Sequence, residues 1–225
     1  MTSRFELRAD SERLSKWIKS LGCSLSTCSA PAQRGDDNHP VLRPSRAGKT
    51  HDMTWMREGP VAPYALDEAS ARRDFNTLPE TEPGRSLGHA LHCRRCIIPA
   101  DVLHQCRHLS HSIEQPCSFA MESGAIFGIA GIWQTWTNEQ GNQVEAFAIL
   151  EMPVTPVLRS LFDRMPVVLT DVREQKRWLR SDAEADIPFD LLRPLNVAML
   201  RNWRMMPGPV AVHLRQAEVS LNHYL

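Results

Sequence analysis

The sequence predicts an α+β fold in which mainly antiparallel sheets form a partly closed barrel with peripheral helices. Three observations predict it. Short runs enriched in Ile, Phe, Val and Trp lie at 93–98, 125–133 and 146–151, separated by turn-forming stretches. Two segments, 11–21 and 171–179, carry apolar residues at helical spacing. Strands and helices interleave without a repeating β-α-β unit, which argues against a doubly wound parallel sheet. With 225 residues the chain can bury a substantial core, and one domain over 1–225 is expected.

In chain order, Leu14, Trp17, Ile18 and Leu21 share one face of a first helix, with Ser11 as the expected N-cap and Gly22 just past its end. Residues 23–50 are rich in Ser, Pro, Arg, Gly and Asp and show no period, so they read as loop with one short strand around Val41-Leu42. The stretch 57–83, punctuated by Pro60, Pro63, Pro79 and Pro83, also reads as loop. Three strands follow at the apolar runs, broken by Glu122-Ser123-Gly124 and by 138–142. Thr155-Pro156 offers an N-cap and an N1 proline for a short helix to Phe162, and 167–169 resumes a strand. Asp171 and Glu174 stand at capping-box spacing for the last helix.

Lysine plus arginine number 26 and aspartate plus glutamate 26, so no global basic field draws the chain to nucleic acid. Any DNA binding must come from a local patch. No stretch has the roughly 18 apolar residues of a membrane span, and the charged N-terminus lacks a signal-peptide core, so a soluble cytoplasmic protein is expected. The 6 cysteines are not spaced as a secreted disulfide framework, and free thiols are expected. Cys93 and Cys96, with His92 and His104 nearby, supply half of a tetrahedral zinc site and no second pair. No metal or other cofactor is expected.

Arg94-Arg95-Cys96-Ile97-Ile98-Pro99-Ala100-Asp101, then Ala130-Gly131-Ile132-Trp133, then Asp163-Arg164-Met165-Pro166-Val167-Val168-Leu169 run in a fixed order and spacing. In these landmarks the chain resembles the SOS-response-associated peptidase (SRAP) family. Members begin Met-Cys-Gly-Arg-Phe, and the resemblance implies a terminal cysteine that captures abasic sites in single-stranded DNA as a thiazolidine. This chain begins Met1-Thr2-Ser3-Arg4-Phe5, so the thiol is absent.

The other reactive positions differ as well. Trimming of Met1 would leave Thr2 with an α-amine of reference pKa near 7.7–8.0, able to attack an aldehyde, beside a weakly nucleophilic hydroxyl. Asn76, in Asn76-Thr77-Leu78-Pro79-Glu80-Thr81, matches the asparagine that positions the nucleophile and the opened sugar, while Leu78 replaces a phosphate-binding arginine. A turn-forming asparagine is the structural alternative there. Gln105 stands at the family's acid–base glutamate and cannot shuttle a proton. The neighbouring His104 should face the other way on a strand, as a surface residue. Phe162 stands at the histidine of His-Asp-Arg-Met-Pro.

What the resemblance leaves is a binding surface. Arg4 and Arg164 match phosphate contacts of the family, and Trp55 offers a face for stacking a base. Core packing of Trp55 and carbonyl capping or Asp163 pairing by Arg164 are the structural alternatives. Trp133, Trp136 and Trp178 are expected in the core. The expected function is a SRAP-like protein of degenerate active site that binds single-stranded or abasic DNA without a stable crosslink. A protein-interaction module without DNA binding is the alternative, and a Thr2-dependent amidase a third reading.

Overall fold

A computed structural model describes residues 4–23, 25–28, 38–45, 50–59, 85–110, 113–137, 143–160, 162–180, 187–194 and 203–207. Strands β3 (Asn38–Pro44), β4 (His51–Glu58), β5 (Arg95–Ala100), β8 (Phe127–Thr137) and β9 (Gln143–Ile149) form a ring. The ring closes because β9 pairs antiparallel with β8 and parallel with β4, leaving a five-stranded barrel with β2 (Leu25–Cys28) and β12 (Val168–Leu169) at its margins. A second sheet runs β1 (Arg4–Glu6), β6 (Val102–Ser110), β7 (Ile113–Met121) and β13 (Trp203–Pro207). A small ribbon pairs β10 (Glu151–Pro153) with β11 (Arg164–Pro166).

Strand β5 is buried at every position because it is covered on both sides, and that is why its sequence after Arg95 is an apolar run rather than an alternation. Ile97 packs toward helices α1 (Ser11–Ser20), α2 (Arg85–Cys93) and α3 (Val172–Leu179), with Trp17, Leu91 and Trp178. Cys96, Ile98 and Ala100 point into the barrel with Val41, Phe127, Ile129, Phe147 and Ile149. Gly131 lets β8 lie this close: a Cβ there would sit 2.5 Å from Ile98 Cδ1 and 2.9 Å from the Ala148 carbonyl oxygen.

Arg95 is the hub of the helix side. Fully buried, its guanidinium donates to the carbonyls of Trp178 (2.8 Å), Leu91 and Arg180, fastening the ends of α2 and α3 to β5. These are C-terminal helix carbonyls that lack helical partners, so a cation is suited to the position. Trp178 returns an Nε1–H bond of 2.9 Å to the Cys96 carbonyl.

Several sequence expectations require correction. Asp10, not Ser11, caps α1 by accepting from the Arg13 N–H at 2.8 Å, while Gly22 closes it with φ +67°. No capping box forms on α3: Asp171 accepts from the Arg173 N–H, and Glu174 instead meets Arg193. The expected helix from Thr155 is a run of turns, with Leu158 and Phe162 N–H groups bonded to Thr155 and Leu158 carbonyls. The segment read as loop over 23–50 carries β2 and a strand, β3, longer than Val41-Leu42. His104 is not a free surface residue but is half-buried and partnered. The side chain of Trp136 lies outside the described residues, whereas Trp178 is core and Trp133 lies half-buried under Arg43, 4.0 Å from ring centroid to guanidinium carbon.

Candidate functional site

The three-residue strand β1 lies antiparallel on β6, with Arg4 opposite His104, Phe5 opposite Leu103 and Glu6 opposite Val102. Phe5 anchors it: the ring is buried 4.6 Å from His39 and 6.2 Å from Phe147, inside the barrel. The chain beyond is tied down by the Asp101 N–H donating to the Glu6 carbonyl (3.0 Å) and the Arg8 N–H donating to Asp101 Oδ1 (2.9 Å).

Strand alternation then sorts the neighbouring side chains. Phe5, Leu103, Cys117 and Phe119 belong to the interior cluster, and Gln105, paired with Cys117, shares their face. Phe162 is 2% exposed and meets Phe119 edge-on, ring centroids 5.6 Å apart. Phe162 thus packs on β7 at Phe119, two residues along that strand from Cys117, the partner of Gln105. Arg164 follows two residues after Phe162, and its Nη2 donates to the Glu151 carbonyl at 2.8 Å. Its Nε is buried without a hydrogen-bond partner.

The opposite face of the same sheet carries Arg4, Glu6, His104 and Ser118. His104 Nδ1 lies 2.8 Å from Ser118 Oγ and Nε2 lies 3.2 Å from Glu6 Oε1, while Arg8 Nε donates to Glu6 Oε2 at 2.6 Å. Burial alone would raise the Glu6 carboxyl, but the Arg8 hydrogen bond and the charges of His104 and Arg8 outweigh it and hold it below its ordinary range. Arg4 is exposed on this face, away from Gln105. Trp55 is 36% exposed on β4, on the side opposite the interior residue Met56. Neither Arg4 nor Trp55 is gathered with Gln105 and Phe162. Thr2 and Asn76 lie outside the described residues.

The described thiols offer little to replace the missing cysteine. Burial pushes Cys96 and Cys117 up and Cys23 up to about 11, each against a weaker opposing pull from Arg43, Arg107 and Lys176 respectively, so thiolate is scarce at neutral pH. Cys93 is exposed, with Sγ 3.8 Å from His89 Nδ1. Among the described residues no group of three or more His, Cys, Asp or Glu side chains is arranged to hold a metal ion.

Sequence reasoning passed over Glu151 and His39. Glu151 is 4% exposed and opposite Pro166, and it continues the alternation Glu145, Phe147, Ile149 that faces the barrel interior. The i, i+2 spacing of these residues was the available signal. His39 sits on the same inner face, its ring 5.9 Å from Phe147.

The described site is thus a closed five-stranded barrel beside a second sheet whose edge strand β1 sends Phe5 into the interior cluster. The chain belongs to the SOS response associated peptidase (SRAP) family, whose model matches residues 1–207. It is 30% identical over 149 residues to the abasic site processing protein YoqW of Bacillus subtilis, covering 65% of this chain and 66% of that protein, just under two thirds of its length. Similarity to YobE of the same organism, also named an abasic site processing protein, is 30% over 149 residues, 65% of this chain and 68% of the relative. Among solved structures, a protein from Bordetella bronchiseptica superposes with a TM-score of 0.69 at 21% identity, covering 93% of this chain and 100% of that one. A protein from Bacteroides thetaiotaomicron gives 0.59 at 22% identity, covering 76% and 73%. These two share the fold. No helix among the described residues is long and apolar enough to cross a membrane.

Proposed function

We propose that this chain, as one domain over 1–225 in the cytoplasm, binds single-stranded DNA in the damage response and engages abasic sites reversibly, without a stable crosslink. The relatives named abasic site processing proteins support the substrate class. The observation that carries the reading is that Phe162 is buried against Phe119, on the β7 strand whose interior-facing residue Cys117 pairs with Gln105. Neither Gln105 nor Phe162 transfers a proton, and positioned proton transfer typically contributes about 10²- to 10⁴-fold. With Met1 removed, the Thr2 amine would add to the ring-opened aldehyde and lose water to give an imine, which hydrolyses because no thiol is there to close a ring. Arg4, Trp55, Asn76 and Arg164 would hold the strand, Arg4 through an exposed phosphate contact.

Fluorescence anisotropy with a single-stranded oligonucleotide carrying one abasic site tests binding. Affinity should fall steeply with salt, and Arg4→Ala should reduce the slope of log K against log[salt] by roughly one phosphate contact. No binding at low salt would overturn the reading and favour a protein-interaction module. Intact mass reads whether Met1 is removed. Borohydride should then convert the imine to a secondary amine and trap a covalent product, and Thr2→Pro should diminish it.

A further inference from the structure

We propose that the end of the barrel remote from β1 holds a small oxyanion of the phosphate class, recognised by Arg43, Arg94 and Trp133. On β3, His39 packs on Phe5 at one end, and Arg43 stands four residues further, about 13 Å away at the usual rise of a strand. Arg43 shares the interior face of Val41 and reaches across the ring to the β8–β9 pair. Its Nη2 lies 2.9 Å from Glu145 Oε1 on β9, and its guanidinium carbon lies 4.0 Å from the Trp133 ring centroid on β8.

What singles out this end is a set of buried polar atoms that no protein group satisfies. Arg43 is 6% exposed, yet its Nη1 has no hydrogen-bond partner among the described residues. The same holds for Trp133 Nε1, Thr135 Oγ1 and Thr54 Oγ1. Register gathers them: Thr135 follows Trp133 by two residues and pairs with Glu145, while Thr54 pairs with Val41, two residues from Arg43. A buried polar group costs stability unless something bonds it, so four at one end of one barrel call for a common partner. Both nitrogens are donors only and the hydroxyls can donate, so that partner is rich in acceptors.

Arg94 supplies the charge. The Trp133 N–H donates to the Arg94 carbonyl at 2.9 Å, which extends the β5–β8 pairing by one residue and sets Arg94 beside Trp133. Arg94 is half-exposed, and its guanidinium has no ion pair or hydrogen bond among the described residues. Two arginines therefore stand against Glu145, whose side chain is 28% exposed and free to turn to solvent; Asp52, opposite Arg43 on β4, has an interaction of its own. An oxyanion offers several acceptor oxygens to these donors and compensates Arg94, and charge-assisted bonds to arginine are the strong kind. Half-buried Arg94, Trp133 and Thr135 leave this end open to a small ligand.

Isothermal calorimetry on the full chain with inorganic phosphate, against sodium chloride of matched ionic strength, tests the proposal. One saturable equivalent is expected. Arg94→Gln, at a half-exposed position that folding tolerates, should weaken binding about tenfold. Trp133→Phe, which keeps a ring under Arg43 but removes the N–H, should weaken it too, and Glu145→Gln, which removes the competing carboxylate, should strengthen it. Deoxyadenosine monophosphate binding more tightly than inorganic phosphate assigns the site to the terminal phosphate of a nucleotide, and the reverse order assigns it to the free ion. No saturable binding of either, or binding that all three substitutions leave unchanged, overturns the proposal and leaves ordered water as the partner of these donors. The imine reading stands or falls separately, because its borohydride product requires no added phosphate.

Discussion

The helix-covered side of the barrel and its inner end beside β6 make opposite use of polar groups. On the helix side, Arg95 is spent on the backbone carbonyls of Leu91, His92, Trp178 and Arg180, and Trp178 Nε1 on that of Cys96, and these contacts join β5, α2 and α3. At the inner end, Phe162 merely packs on Phe119, and Arg164 Nε has no partner. The difference teaches which substitutions the fold can absorb. A ring that fills apolar space is exchangeable for another of similar size, whereas a donor that satisfies several buried carbonyls has no apolar substitute.

The largest effect should come from Arg95→Ala. Removing the guanidinium strands the Trp178, Leu91 and Arg180 carbonyls and leaves a cavity, so unfolding free energy should fall by about 3 kcal/mol or more in a denaturant titration. A loss below about 1 kcal/mol would erase the contrast between the two regions. Gly131→Ala should follow, costing about 1–3 kcal/mol as an overpacking change. The methyl would meet Ile98 Cδ1, which can turn aside, but also the Ala148 carbonyl oxygen of the paired strand, which cannot without moving β9. A thermal melt unchanged by this substitution would show that β8 and β9 are less tightly apposed than described.

The sequence made the barrel wall readable wherever burial is lopsided or complete. Strands β5, β8 and β9 overlap the expected apolar runs but are displaced from them, with Cys93 ending α2 rather than opening β5, and α1 and α3 follow their amphipathic spacing. The β6–β7 hairpin was harder to read. Leu103, Gln105 and Arg107 alternate with His104 and Cys106, so polar residues occupy both faces and no clean alternation marks the strand. Helix α2 holds Gly88, His89 and His92, residues of low helix propensity, and it forms because Leu91 and Ala90 are buried against β5 and β8. Thr155-Pro156 gave a sound helix-start signal that tertiary packing overrode, since Leu158 and Phe162 are drawn into the interior and leave only turns. The identities at 105 and 162 were legible as departures from a family pattern. That Phe162 packs on Phe119, beside the strand that pairs with Gln105, was not, because only pairing register and tertiary packing determine it.

The smallest effect concerns the strap that holds β1. Glu6 carries Arg8 and His104 on the outer face of the sheet, and its carboxyl is held below its ordinary range. A carboxyl depressed in the folded state stabilises it fully above the unfolded value, near pH 4.3, and that contribution disappears as pH falls through the lower folded value. Glu6→Gln should therefore be less stable than the wild type at pH 7 and should converge with it below about pH 4. Because Glu6 is 44% exposed, solvent screening limits the difference at pH 7 to below about 1 kcal/mol. A local readout is more sensitive than a global melt: amide exchange at Phe5 and Glu6 should quicken in the variant at pH 7 while that of Ile97 and Ile98 is unmoved. Equal exchange in both would mean that Phe5, buried against His39, holds β1 alone, and the outer-face ion pairs would then be an ornament of the strand rather than its strap.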